Sequence, residues 1–230
     1  MNVPRSFSLL CFAVLLYACG QRSGQRKEED VRQVSLNGIT IPENVLIEIE
    51  QKSGKGYRKY MQVNEVYDST GYGDVDTIHH GIFFSRLKEE TAKEICLQFH
   101  ESVKSSGNFI FCKNMGFVED TITTFDVVII KARDLFDVLR FVRIEGGNYN
   151  LDTEDILQKV REWNEQYSFK LLVADTDRME AMMDNPPADM EKFADEVYAF
   201  CPDVIDQGYG TKEALVEYYR KNSYLWLWWD

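Results

Sequence analysis

Histidine is scarce in this chain of 230 residues: His79, His80 and His100 are the only three. None lies in the C-terminal half, so a Ser-His-Asp or Cys-His arrangement confined to that half is excluded. Zinc-type spacing is missing too, because no CxxC pair and no Cys/His cluster occurs. The glycines never build a GxxxxGK(S/T) loop, so Gly146-Gly147 is not a phosphate cradle. Positive charge is short, with 26 Lys and Arg against 38 Asp and Glu and a formal net charge of -12. Such a chain repels phosphate, which excludes nucleic acid as an expected partner and disfavours anionic lipid surfaces. It suits a cationic protein partner. After Leu16 no apolar run approaches the roughly 20 residues that span a bilayer as a helix. Hydrophobic residues still make up 44% of the chain, enough for a packed core and too many for a disordered one.

The front of the chain has the three parts of an export signal. Arg5 supplies the basic region, and Phe7 to Leu16 is an apolar stretch of about ten residues, too short to cross a membrane core. It ends in Leu16-Tyr17-Ala18-Cys19-Gly20, which resembles the lipobox of bacterial lipoproteins. The resemblance implies cleavage before Cys19 and lipid on that cysteine, with a membrane as partner through the lipid. The expected location is the bacterial cell envelope, membrane-anchored and facing away from the cytoplasm; the periplasmic side and the cell surface both satisfy it. Residues 1–18 are then a signal peptide, and 19–34, polar and without apolar periodicity, a flexible tether. Cys11 leaves with the signal and Cys19 carries lipid, which leaves Cys96, Cys112 and Cys201. An odd number means at least one is unpaired or joined to another chain, and a Cys96–Cys112 bridge is allowed in an oxidising compartment.

Beyond the tether, residues 35–120 read as an N-terminal α+β region and 121–230 as a C-terminal α+β domain. Residues 36–66 alternate in short runs, including Val45 to Ile49 and Tyr57 to Val66, which suits strands. Asp68 to Asp76 is rich in turn formers. Leu87 to Ser105 reads as a helix with Ala92, Ile95, Cys96, Phe99 and Val103 at helical spacing, ended by Gly107. Asn108 to Cys112 and Phe125 to Lys131 follow as strands. Asp152 is placed to cap a helix over Thr153 to Tyr167, and Phe169 to Ala174 and Met179 to Met183 are strands. A helix from Asp189 to Cys201 is stopped by Pro202, and Thr211 opens another. The closing Tyr224 to Asp230 puts Trp226 and Trp228 on one face and Leu225, Leu227 and Trp229 on the other. That pattern implies a strand covered on both sides, with a sugar-stacking platform as the alternative. The order predicts α+β, a mainly antiparallel mixed sheet with three or four packing helices.

Gly146-Gly147-Asn148-Tyr149, Leu151 to Ile156, Trp163, Pro186-Pro187, Ala194 to Gly210 (most specifically Val197 to Asp203 and Asp206-Gln207-Gly208) and Leu227 to Asp230 together resemble the bacterial family DUF4253, a domain of unknown function. The resemblance implies a fold and no chemistry. The candidate ligand or partner loop is drawn from polar residues on connections between packed elements: Asn148, Tyr149, Asp203, Asp206, Gln207 and Asp230. They offer oxygen ligands for a hard cation or contacts for a polar ligand. The plainer reading is that the two aspartates shape a turn while Gly208 and Gly210 supply unusual backbone angles. Cys201, at a helix C-terminus beside Asp203, is expected to be a packed thiol, since both surroundings disfavour a thiolate. No cofactor and no metal site is expected. The leading functional expectation is a lipid-anchored, non-catalytic binding or immunity-type protein. The rivals are a metal-assisted hydrolase using the Asp203/Asp206 loop with His79 or His80, and an envelope structural or assembly protein.

Overall fold

The computed structural model describes residues 31–67, 73–118 and 122–230. Cys19, the stretch read as a signal peptide, the turn-rich stretch before Gly73 and the stretch read as tether up to residue 30 lie outside the described residues. Strands β1 (Gln33–Leu36) and β2 (Ile39–Pro42) form a hairpin, and β1 takes in Gln33 and Val34, the last two residues of the stretch read as tether. There follow α1 (Glu43–Ser53), β3 (Arg58–Tyr67), β4 (Gly73–Lys88), α2 (Glu89–Ser105), β5 (Phe109–Val118), β6 (Ile122–Ile130) and α3 (Leu135–Val142). The C-terminal part adds α4 (Thr153–Tyr167), β7 (Phe169–Ala174), β8 (Arg178–Met183), α5 (Met190–Phe200), α6 (Lys212–Asn222) and β9 (Tyr224–Trp228).

Among the described residues the larger sheet has seven strands in the order β3-β4-β6-β5-β7-β8-β9. Every pairing is antiparallel except β5 with β7, which is parallel and registered only at Cys112 and Val173. The fold is α+β with a mainly antiparallel mixed sheet. Strands β5 and β6 are apolar at successive positions because both sheet faces are covered. Phe109, Phe111, Val128 and Ile130 pack with α3 to α6 on one face. Ile110, Cys112, Val127 and Ile129 pack with α1 and α2 on the other.

Two helices depart from the sequence reading. α1 occupies a stretch whose β-branched content suggests a strand. Val45, Leu46 and Ile49 are buried together, at helical spacing, while Ile47 between them is exposed. Gly54, at φ 63°, stops the helix. α3 escapes notice because it is short, but Asp134 caps it by accepting from the amides of Phe136 and Asp137. The C-terminal helices follow their signals: Asp152 and Asp155 form a reciprocal capping box on α4, Asp189 caps α5 through the Lys192 amide, and Thr211 caps α6.

Strand β9 is not an interior strand; it is the edge next to β8. Leu225, Leu227 and Trp229 are fully buried on one side, as an apolar strand requires. On the other side Trp226 and Trp228 are half-buried and cover each other, with ring centroids 6.1 Å apart at 21°. Tyr209 packs edge-on against Trp226 at 5.5 Å.

A hydrogen-bonded knot at the candidate site

After α5, Pro202 denies the helix a donor and the chain turns through a π-helical turn (Val204–Tyr209) closed by Gly210 at φ 75°. Asp203 stands at the head of this turn and is 4% exposed. Its Oδ1 accepts from the Tyr149 hydroxyl at 2.6 Å and from Gln207 Nε2 at 3.0 Å. Its Oδ2 accepts from the backbone amide of Asp230 at 3.0 Å. Asn148 donates its side-chain amide to the Asp230 carbonyl. Four of the six candidate residues therefore meet at one carboxylate, and Asn148 joins them through Asp230. Asp206 is outside this group and accepts instead from the exposed Tyr198 hydroxyl at 3.2 Å.

Burial alone would raise the Asp203 pKa; the bonds from Tyr149, the Asp230 amide and Gln207 outweigh it and hold the carboxyl below its usual value. The same bond pushes the Tyr149 phenol up to about 12. Two glycines serve close approach. A Cβ on Gly146 would lie 2.9 Å from the Trp229 ring, and one on Gly208 would lie 2.7 Å from Trp226. Gly208 is thus required by its neighbour's bulk, whereas Gly210 is the one that takes the left-handed angle.

Cys201 is fully buried and its thiol lies 3.0 Å from the Trp228 carbonyl as a donor. Burial pushes its pKa up to about 12, as expected of a packed thiol. His79 packs edge-on against Phe141 at 4.7 Å, and His80 is exposed beside the Gly38 turn. Among the described residues no group of three or more His, Cys, Asp or Glu side chains is arranged to hold a metal ion.

Sequence reasoning missed two polar groupings. Lys113 on β5 faces Asp126 on β6 in register, and its Nζ lies 3.7 Å from Asp175 after β7. Burial raises the pKa of both aspartates, although Asp126 accepts from the Arg86 amide at 2.9 Å and Lys113 opposes the rise at Asp175. A charge set inside an otherwise apolar strand was the available signal. The second grouping is Glu180, 2% exposed, which accepts from Lys93 of α2 at 2.5 Å and from Arg178 beside it on β8. It ties the helix of the N-terminal half to the sheet of the C-terminal half.

A cleft of about 520 Å³ opens between α4 and α5. Leu151, Ala199 and Phe200 give it apolar lining, and Asp155, Glu162 and Glu196 put carboxylates on both walls. Lys159 is the single basic lining residue and pairs with Glu162 at 3.1 Å. Glu196 also accepts from the buried Trp163 indole at 3.2 Å.

Residues 126–230 match the family model described as Domain of unknown function (DUF4253). Neither the curated proteins nor the solved structures contain a match to this chain. The match starts inside β6 and contains the whole knot around Asp203 and both walls of the cleft.

Proposed function

We propose that this is a lipid-anchored protein of the bacterial cell envelope that binds a cationic protein partner without catalysis, in the manner of an immunity-type factor. The cleft between α4 and α5 carries this reading. Its carboxylates stand on two walls around apolar surface, which suits a segment bearing Lys or Arg next to an apolar side chain. The net charge of -12 supports the same partner through attraction at longer range. Asp203, Cys201 and their neighbours support a non-catalytic role, because their polar atoms are engaged with one another. The anchor rests on the Leu16 to Gly20 motif.

Two experiments test the reading. Cys19→Ser should leave an uncleaved or unlipidated precursor; recovery of that variant from membranes at the mature mass with lipid attached would refute the anchor. For binding, the wild type and a Glu162→Gln/Glu196→Gln variant are cross-linked in the envelope and purified. A basic partner at fixed stoichiometry, lost in the variant, is expected. Glutamine at 196 keeps an acceptor for Trp163, so the fold should persist. Unchanged capture by the variant, or substrate turnover by the purified protein, would remove the proposal.

A further inference from the structure

We propose that Cys96 and Cys112 are joined by a disulfide in the exported protein, cross-linking α2 to β5. The inference rests on the export reading above, because only an oxidising compartment lets such a bond persist. Cys96 lies on the buried stripe of α2, with Ala92, Ile95, Phe99 and Val103. Cys112 points to the same side of β5 as Ile110, into the core that α2 covers. Their sulfurs are 3.2 Å apart, and both residues are almost wholly buried. An S–S bond is about 2.05 Å long, so closure asks for a movement of roughly 1 Å, within side-chain rotation and a small helix shift. Cys201 is the contrast: its thiol is spent on the Trp228 carbonyl, so it is the one left over.

The bond needs an oxidant, and a protein or small molecule carrying a reducible disulfide supplies it. One cysteine, as thiolate, attacks a sulfur of that disulfide, forms a mixed disulfide and expels the oxidant's first thiolate. The second cysteine, also deprotonated, attacks its partner's sulfur in the mixed disulfide and expels the oxidant's second thiolate. Two electrons pass to the oxidant, and the two protons released from the cysteines end on its thiols. Because both sulfurs are buried in the finished structure, the exchange belongs to the stage before α2 has docked. The position suits a clamp. Cys112 is the residue through which β5 registers with β7, so the bond would fasten α2 over the one parallel junction in the sheet.

The test counts thiols in the full chain expressed with its own signal. Cells are fractionated, free thiols are blocked with an alkylating agent in denaturant, and peptides are mapped without reduction. In membrane-recovered protein one alkylated cysteine, Cys201, is expected, with the Cys96 and Cys112 peptides linked until reduced. Alkylation of all three cysteines in lipidated protein would overturn the disulfide while leaving the anchor intact. Recovery in the cytosol without lipid would instead overturn the export reading, and with it the bond in the cell. A second arm separates pairing from location: protein from whichever fraction holds it is denatured, reduced and refolded with glutathione disulfide. Linkage of Cys96 to Cys112 is expected there. Pairs involving Cys201, or glutathione left on both cysteines, would overturn the pairing. Cys96→Ser should leave Cys112 unlinked, open to alkylation in membrane-recovered protein and carrying glutathione or alkylated after refolding.

Discussion

Asp203 concentrates the candidate site into a single carboxylate with three donors. Asparagine there would keep the shape but carry no charge, and its NH2 would face the Asp230 amide as a second donor. Asp203→Asn should therefore cost about 1–3 kcal/mol at neutral pH, the usual penalty for leaving a buried donor without its acceptor. The pH dependence has a definite sign. A carboxyl whose folded pKa is depressed contributes stability above the unfolded value of about 3.9, and loses it as pH falls through the folded value. The gap between wild type and variant in denaturant melts should thus be full at neutrality and close as acid protonates the depressed Asp203 carboxyl, below the usual carboxylate range. A gap independent of pH would mean that shape, not charge, is what matters. Cys201 offers a second measurement: its buried thiol should alkylate more slowly in the native protein than a free model thiol. The identities of these residues are legible in the sequence as polar groups on connections, but their mutual bonding is not. Asn148 and Asp230 are neighbours only because β9 returns beside the Gly146 turn. Lys113, Asp126 and Asp175 were passed over because each sits in or at the end of a strand that otherwise reads as core.

Helices that carry their own start and stop are the readable elements. Asp152 with Asp155, Asp189 before Met190, and Thr211 before Lys212 each name a helix locally, and Pro202 names an end. α1 is misread because Val45, Ile47 and Ile49 are β-branched, and that local preference is overruled by burial against β2 and α2. Strand order is not readable at all, since alternation says which way side chains point and nothing about which strand lies alongside. β9 shows the limit. Its two apolar faces suggest an interior strand, yet it is an edge whose second face is closed by stacked tryptophans and Tyr209. Deleting residues 226–230 should still unfold the protein. It removes Leu227 and Trp229, both buried, and truncating one buried tryptophan alone costs about 3–5 kcal/mol. Against a total stability of about 5–15 kcal/mol the loss should be decisive. A cooperative melt within a few degrees of the parent would show instead that the tryptophans are a surface for recognition.

At the scale of the molecule, the boundary of the family match and the boundary of the folded sheet differ. The match opens at residue 126, but β5, which precedes it, lies between β6 and β7. A chain of 126–230 alone would leave the edges of β6 and β7 without the strand that joins them. It is expected to be insoluble or to lack a cooperative transition by calorimetry, whereas 31–230 should melt in one step; a well-folded 126–230 fragment would show that the sheet can rejoin without β5. The parallel junction at Cys112 and Val173 also sets a rate. Each side of it is assembled from near neighbours in sequence: α2, β5 and β6 on one side, α4, β7 and β8 on the other. Such local pairings close quickly, while the junction must bring together distant stretches and bear the larger loop entropy. Docking of the two blocks should therefore limit refolding. Leu172→Ala, beside the junction, should slow the folding limb of the chevron, while Leu227→Ala on β9 should chiefly speed unfolding. Equal slowing by both would mean that the edge strand and the junction form in one step.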